Sequence, residues 1–75
     1  MKEQKDRYEI FLKVCETGSF SGAATALNYT QSGISQMMAG LEEELGVQLF
    51  ARIKRGVILT DNGARLIPYI QEMVN

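Results

Sequence analysis

Seventy-five residues make one small domain, and the 45% hydrophobic and 23% charged content is ordinary for a soluble fold. One cysteine and no histidine exclude an internal disulfide, a His/Cys metal site and a Cys–His nucleophile, so neither a metal nor a cofactor is expected, nor an enzyme. No apolar run approaches the roughly 18 residues of a membrane span, and the charged start MKEQKDRYE adjoins no apolar segment, so no membrane contact is expected and the place of work is the cytoplasm.

The spacing of Tyr8, Phe11, Leu12 and Cys15 (i, i+3, i+4, i+7) predicts an amphipathic helix over residues 5–17, stopped at Gly18. Ser19 or Ser21 can cap a second, Ala-rich helix through Ala23, Ala24 and Ala26 to Leu27. Its small side chains permit a close approach by the next helix. Asn28, which tolerates the left-handed conformation, and Tyr29, expected to fill the gap beneath, form the turn. Thr30 is the expected cap of a third helix that ends at Gly46. Ile34, Met37, Met38, Leu41 and Leu45 mark its buried stripe, an arc of roughly 100°. Ser32, Ser35, Gln36, Ala39 and Glu43 point the other way, with Gln31 on the exposed first turn.

Two short β-rich runs follow, residues 49–53 and 57–59, around a polar turn of Lys54, Arg55 and Gly56. Thr60 then caps a last helix, DNGARLIPYIQEMVN, with Asp61 complementing the dipole at its start and Pro68 expected to bend it locally. Its apolar residues spread over more than one face, which suits packing on something besides its own core.

A short helix, a tight turn and a second helix that opens on small hydrogen-bonding side chains have the layout of a helix-turn-helix, whose second helix enters the DNA major groove by its N-terminal end. The charge balance is neutral towards this reading. Net charge is −1 and the pI about 5.3, but Arg52, Lys54 and Arg55 cluster in the hairpin while nothing between Lys13 and Arg52 is basic. Phosphate attraction is therefore expected from the hairpin, with the first helix as a second source, rather than from the third helix, and non-specific affinity should be weak.

These segments also carry a family resemblance. GSFS at 18–21, the pair Ala23-Ala24, TQSGIS at 30–35, LE at 41–42, LG at 45–46, LFAR at 49–52, LT at 59–60 and Gly63 occur in an order and spacing similar to the N-terminal winged helix-turn-helix of LysR-type transcriptional regulators. The resemblance implies a mainly α fold: a three-helix core, a two-stranded β wing and a C-terminal linker helix. Residues 1–59 would form the DNA-binding domain and 60–75 the start of the dimerisation helix. It implies DNA contacts from Ser21, Thr30, Gln31, Ser32, Ser35 and Gln36, and from Arg52, Lys54 and Arg55 on the wing. It implies a homodimer through Leu66, Ile67, Ile70, Met73 and Val74, matched to an interrupted palindrome in double-stranded DNA. A small-molecule effector would be a partner only if a C-terminal domain exists; the chain reads as a fragment of such a protein, with a free-standing small protein as the alternative.

Arg52 keeps two readings, phosphate contact or an ion pair with a carboxylate such as Glu42. The whole domain also has a rival reading as a winged-helix protein–protein interaction module, which an acidic pI and a cation-free third helix would suit.

Overall fold

The computed structural model describes residues 2–74, with side chains from Asp6 to Met73. Lys2, Lys5 and the expected dimer residue Val74 lie outside the described side chains. Four helices and one hairpin follow in the order α1 (Lys2–Thr17), α2 (Phe20–Leu27), α3 (Gln31–Leu45), β1 (Phe50–Ile53), β2 (Gly56–Leu59) and α4 (Asp61–Val74).

Local chemistry explains the helix boundaries. Ser19 Oγ accepts the N–H of Gly22 at 2.8 Å, so Ser19, not Ser21, caps α2. Asn28 takes φ 62° and ψ 43°, and the N–H groups of Asn28 and Tyr29 donate to the carbonyls of Thr25 and Ala24, closing the end of α2. Tyr29 itself is 43% exposed and is not among the residues packed on the core, so it does not fill the gap beneath. Thr30 Oγ1 caps α3 through the N–H of Gly33 at 3.0 Å, and Thr60 Oγ1 caps α4 through that of Gly63 at 3.1 Å. The helix α4 continues through Pro68, which sits on its exposed side, where a missing N–H is least costly.

The core gathers Ile10, Phe11 and Val14 of α1, Phe20, Ala23 and Ala24 of α2, and Ile34, Met38 and Leu41 of α3 with Leu49, Phe50, Val57 and Ile70. The buried stripe of α3 is shorter than expected. Met37 is only partly buried and Leu45, the last residue of the helix, is 38% exposed.

The hairpin pairs Phe50 with Leu59, Ala51 with Ile58, Arg52 with Val57 and Ile53 with Gly56, leaving a two-residue loop of Lys54 and Arg55. Gly56 therefore belongs to the second strand, not to the turn. Its need for glycine comes from a tertiary contact. It has φ +147°, and a Cβ there would meet the Gly18 carbonyl oxygen at 2.3 Å. The next N–H, of Val57, donates to that same carbonyl at 3.1 Å, which docks the hairpin on the α1–α2 junction.

Cys15 is half-buried beside Leu12, Glu16, Ile67 and Gln71, where α1 faces α4. Burial pushes its thiol from the ordinary 9.0 to about 11. At pH 8 that cuts the thiolate roughly a hundredfold, and the greater nucleophilicity of a more basic thiolate returns only about a factor of ten. Iodoacetamide should alkylate Cys15 at least about ten times more slowly in the folded protein than in urea; equal rates would mean a solvated thiol. Between pH 9 and about 11 the unfolded chain releases the proton while the folded chain keeps it, so this contribution to stability falls as pH rises through that window.

Candidate nucleic-acid interface

The first two turns of α3 present Gln31, Ser32, Ser35 and Gln36 around one open depression. Gln31, Ser32 and Gln36 are exposed and Ser35 is half-buried. The spacing i, i+1, i+4, i+5 puts these four on one face, opposite Ile34, Met38 and Leu41 in the core. None carries charge, so attraction for an anion at this end comes from the helix N-terminus, whose first N–H groups lack helical acceptors. Thr30 stands at the same end, but its hydroxyl is committed to capping. Ser21 is exposed on the first turn of α2.

The acidic second half of α3 is occupied by structural contacts. Glu42 Oε2 accepts the backbone N–H groups of Leu49 at 2.7 Å and Phe50 at 3.1 Å, anchoring the entry to β1. Glu44 pairs with Arg7 of α1. Only Glu43, on the exposed face, carries no such contact among the described residues. An ion pair between Arg52 and Glu42 is thus replaced by a different arrangement. The Glu42 carboxylate serves the strand backbone, while Arg52 Nη2 donates to Ser35 Oγ at 3.3 Å and the guanidinium lies 5.3 Å from the centre of the Phe20 ring.

Phe20 escaped sequence reasoning as a site residue because it reads as a core aromatic. It is one: its ring stands edge-on to Phe50 at 5.6 Å, and Phe50 meets Phe11 at 5.3 Å. One side of the ring nevertheless serves Arg52. Lys54 and Arg55 are exposed at the two-residue hairpin loop, and beyond the paired inner residues the hairpin shows Ile53 and Ile58, 48% and 51% exposed. Ile53 pairs with Gly56 and Ile58 with Ala51, so the two isoleucines share the outer face, a placement fixed by the register and not by the alternation in either run.

The apolar residues of α4 divide. Ile70 is fully buried in the domain's own core, and Leu66 and Ile67 are partly buried against that core. Ile70 therefore has no surface to offer a second subunit. Among the described side chains, the large exposed apolar ones of α4 are Tyr69 (68%) and Met73 (57%), four residues apart along one side of the helix. Their i, i+4 spacing was visible in the sequence, but only the docking of α4 on α1 shows which side of a broadly apolar helix stays uncovered.

Among the described residues no helix is long and apolar enough to cross a membrane, and no group of His, Cys, Asp and Glu could hold a metal ion.

A family model described as "Bacterial regulatory helix-turn-helix protein, lysR family" matches residues 6–64. The chain is 52% identical over 64 residues to a "Probable hydrogen peroxide-inducible genes activator" of Mycobacterium avium, a match covering 85% of this chain and 21% of that protein. The matched stretch spans only 21–23% of these curated relatives' length. The solved CbnR DNA-binding domain in complex with DNA superposes with a TM-score of 0.90 at 31% identity, over 93% of this chain and 80% of that one. A transcriptional regulator of the LysR family from Eggerthella lenta superposes with a TM-score of 0.79 at 45% identity, over 87% and 93% of the two chains.

Proposed function

The chain belongs to the lysR family of bacterial regulatory helix-turn-helix proteins, and on that premise we propose that it binds double-stranded DNA sequence-specifically as the reading head of a cytoplasmic transcriptional regulator. One observation carries the reading. An uncharged hydrogen-bonding face on the first half of α3 stands beside a hairpin that supplies Arg52, Lys54 and Arg55. The division of labour follows from the chemistry. Gln31 and Gln36 have the paired donor and acceptor that match adenine in the major groove, and Ser32 suits a base edge or a phosphate. The cations hold the backbone and set register without reading sequence. Since α3 has no basic residue, affinity is supplied mainly by the wing and discrimination mainly by α3.

In a dimer, two such heads about 34 Å apart match an interrupted palindrome. The side of α4 carrying Tyr69 and Met73 is the surface that supports the pairing, with Leu66 at its edge; Ile67 lies on the far side of Ile70, beside Cys15 of α1. A small-molecule effector would be a partner only if a further domain accompanies this one, and no residue of the domain is assigned to it.

The test is enrichment of duplexes from a randomised library, followed by anisotropy titration of the enriched and a scrambled duplex at two salt concentrations. Salt-sensitive binding that prefers the enriched duplex is expected. Gln31→Ala should then lose about 1–3 kcal/mol of discrimination at one base pair per half-site. Unchanged discrimination would remove Gln31 from the reading set, and sequence-blind or absent binding by the folded chain would favour the protein-interaction module.

A further inference from the structure

Ser35 stands on the face that the proposed function assigns to base reading, yet it differs from its neighbours. Among the described residues Gln31, Ser32 and Gln36 make no side-chain hydrogen bond, whereas Ser35 Oγ accepts from Arg52 Nη2 at 3.3 Å. The guanidinium is held from two directions, by that hydroxyl and by the Phe20 ring 5.3 Å away. Phe20 is itself a rigid platform, 9% exposed and wedged edge-on against Phe50. The one carboxylate sharing this cleft, Glu42, gives its Oε2 to the N–H groups of Leu49 and Phe50 and forms no ion pair with Arg52. Arg52 is exposed, stands in no ion pair among the described residues, and has most of its five N–H donors unspent.

We infer that Ser35 is a positioning residue for Arg52, and that the two form, at the seam between α3 and the wing, a preset clamp for a DNA backbone phosphate. A free arginine loses much rotamer entropy when it grips a phosphate; one already fixed by a ring and a hydroxyl loses less, and its planar fork stays aimed for a two-pronged contact. Ser35 then acts through Arg52 and reads no base. The inference rests on the DNA-binding reading, and the test separates the two.

Ser35→Ala, Arg52→Ala, the double variant and Ser35→Thr are titrated, in the 75-residue chain, against a 30-base-pair duplex of mixed sequence across a salt series. Releasing one counterion near 0.15 M salt is worth about fivefold in affinity. Arg52→Ala should lose about that much and lower the slope of log affinity on log salt by about 1; Ser35→Ala, which leaves the charge in place but no longer fixed, should lose up to that much with a smaller fall in slope; and the double variant should be no weaker than Arg52→Ala. Ser35→Thr should restore most of the loss, and base preference on enriched duplexes should be the same in all variants. Losses that multiply in the double variant would overturn the inference, as would a changed base preference in Ser35→Ala with an unchanged salt slope. A readout without DNA guards the distinction: the Arg52 Nη–H resonances of the free protein should be resolved and slow to exchange, because Nη2 donates to Ser35 Oγ, and Ser35→Ala should return them to the averaged arginine position. If that signature is present while the folded wild type shows no salt-sensitive duplex binding, the DNA reading fails and the phosphate clamp with it, leaving the pair as structure only. If the signature is missing from the wild type, the clamp is overturned whatever the DNA result.

Discussion

Ile70→Asp is expected to unfold the chain, not to separate a dimer into intact subunits. Ile70 is fully buried in a core, shared with α1, where no buried polar or charged side chain occurs among the described residues. The substitution forfeits about 2 kcal/mol of apolar burial. It also places a carboxyl where nothing can pair with it. Ionised, that group costs several kcal/mol; protonated, it still lacks a hydrogen-bond partner, at about 1–3 kcal/mol. At 0.05–0.15 kcal/mol per residue a domain this size has only about 4–11 kcal/mol of stability in total. Far-UV circular dichroism at 25 °C should therefore show most of the helical signal lost, with no cooperative melt above it. A wild-type spectrum and melt would mean that the end of α4 detaches at little cost, and would restore Ile70 as a surface residue. The position that tests pairing is Met73, 57% exposed. Met73→Asp should melt like the wild type and, with α4 as the seam, sediment with a smaller dimer fraction.

The contrast between Ile70 and Met73 shows where sequence reasoning stops. Periodicity located α4 and its apolar residues, because a 3.6-residue repeat is a property of one segment. Which portion of a wide apolar arc is covered depends on the neighbour, and no repeat within α4 encodes the position of α1. The same boundary separates the caps from the polar contacts between elements. Thr30 and Thr60 were legible because a cap acts three residues away. Glu42 was not, because its acceptor role depends on β1 folding back past the end of α3 to bring Leu49 and Phe50 within reach. Arg52 and Ser35 are 17 residues apart and meet only when the wing docks. Gly56 looked like a turn glycine from its neighbours Lys54 and Arg55, whereas its requirement is set by the Gly18 carbonyl on another element. The polar face of α3 was legible for the opposite reason: it is local, one helix surface opened by Thr30 and defined by the stripe behind it.

Gly63→Ala should lower stability even though it improves helix propensity, and here two magnitudes compete. Ala is favoured over Gly inside a helix by about 0.5–1 kcal/mol, and Gly63 lies in the first turn of α4, where that gain is smaller. Against it, a Cβ at position 63 would sit 2.4 Å from the Leu49 carbonyl oxygen and 2.8 Å from Leu59 Cδ2. The leucine methyl can turn away, but the carbonyl cannot. Leu49 is held by its N–H on the Glu42 carboxylate at 2.7 Å, by its carbonyl on the Thr60 N–H at 3.0 Å, and by a side chain with no exposed surface. Overpacking against so fixed a neighbour costs about 1–3 kcal/mol, which outweighs the propensity gain. For a domain of this size each kcal/mol moves Tm by about 4–8 °C, so calorimetry should show a drop of several degrees. Gly40→Ala supplies the opposite sign from the same chemistry. Gly40 is in the interior of α3, and its added Cβ would meet only Arg7 Nη1, at an ordinary 3.8 Å. There propensity acts alone and Tm should rise by a few degrees. If both variants shift Tm upward, Leu49 yields more easily than its two hydrogen bonds allow, and the junction between the wing and α4 is softer than its packing indicates.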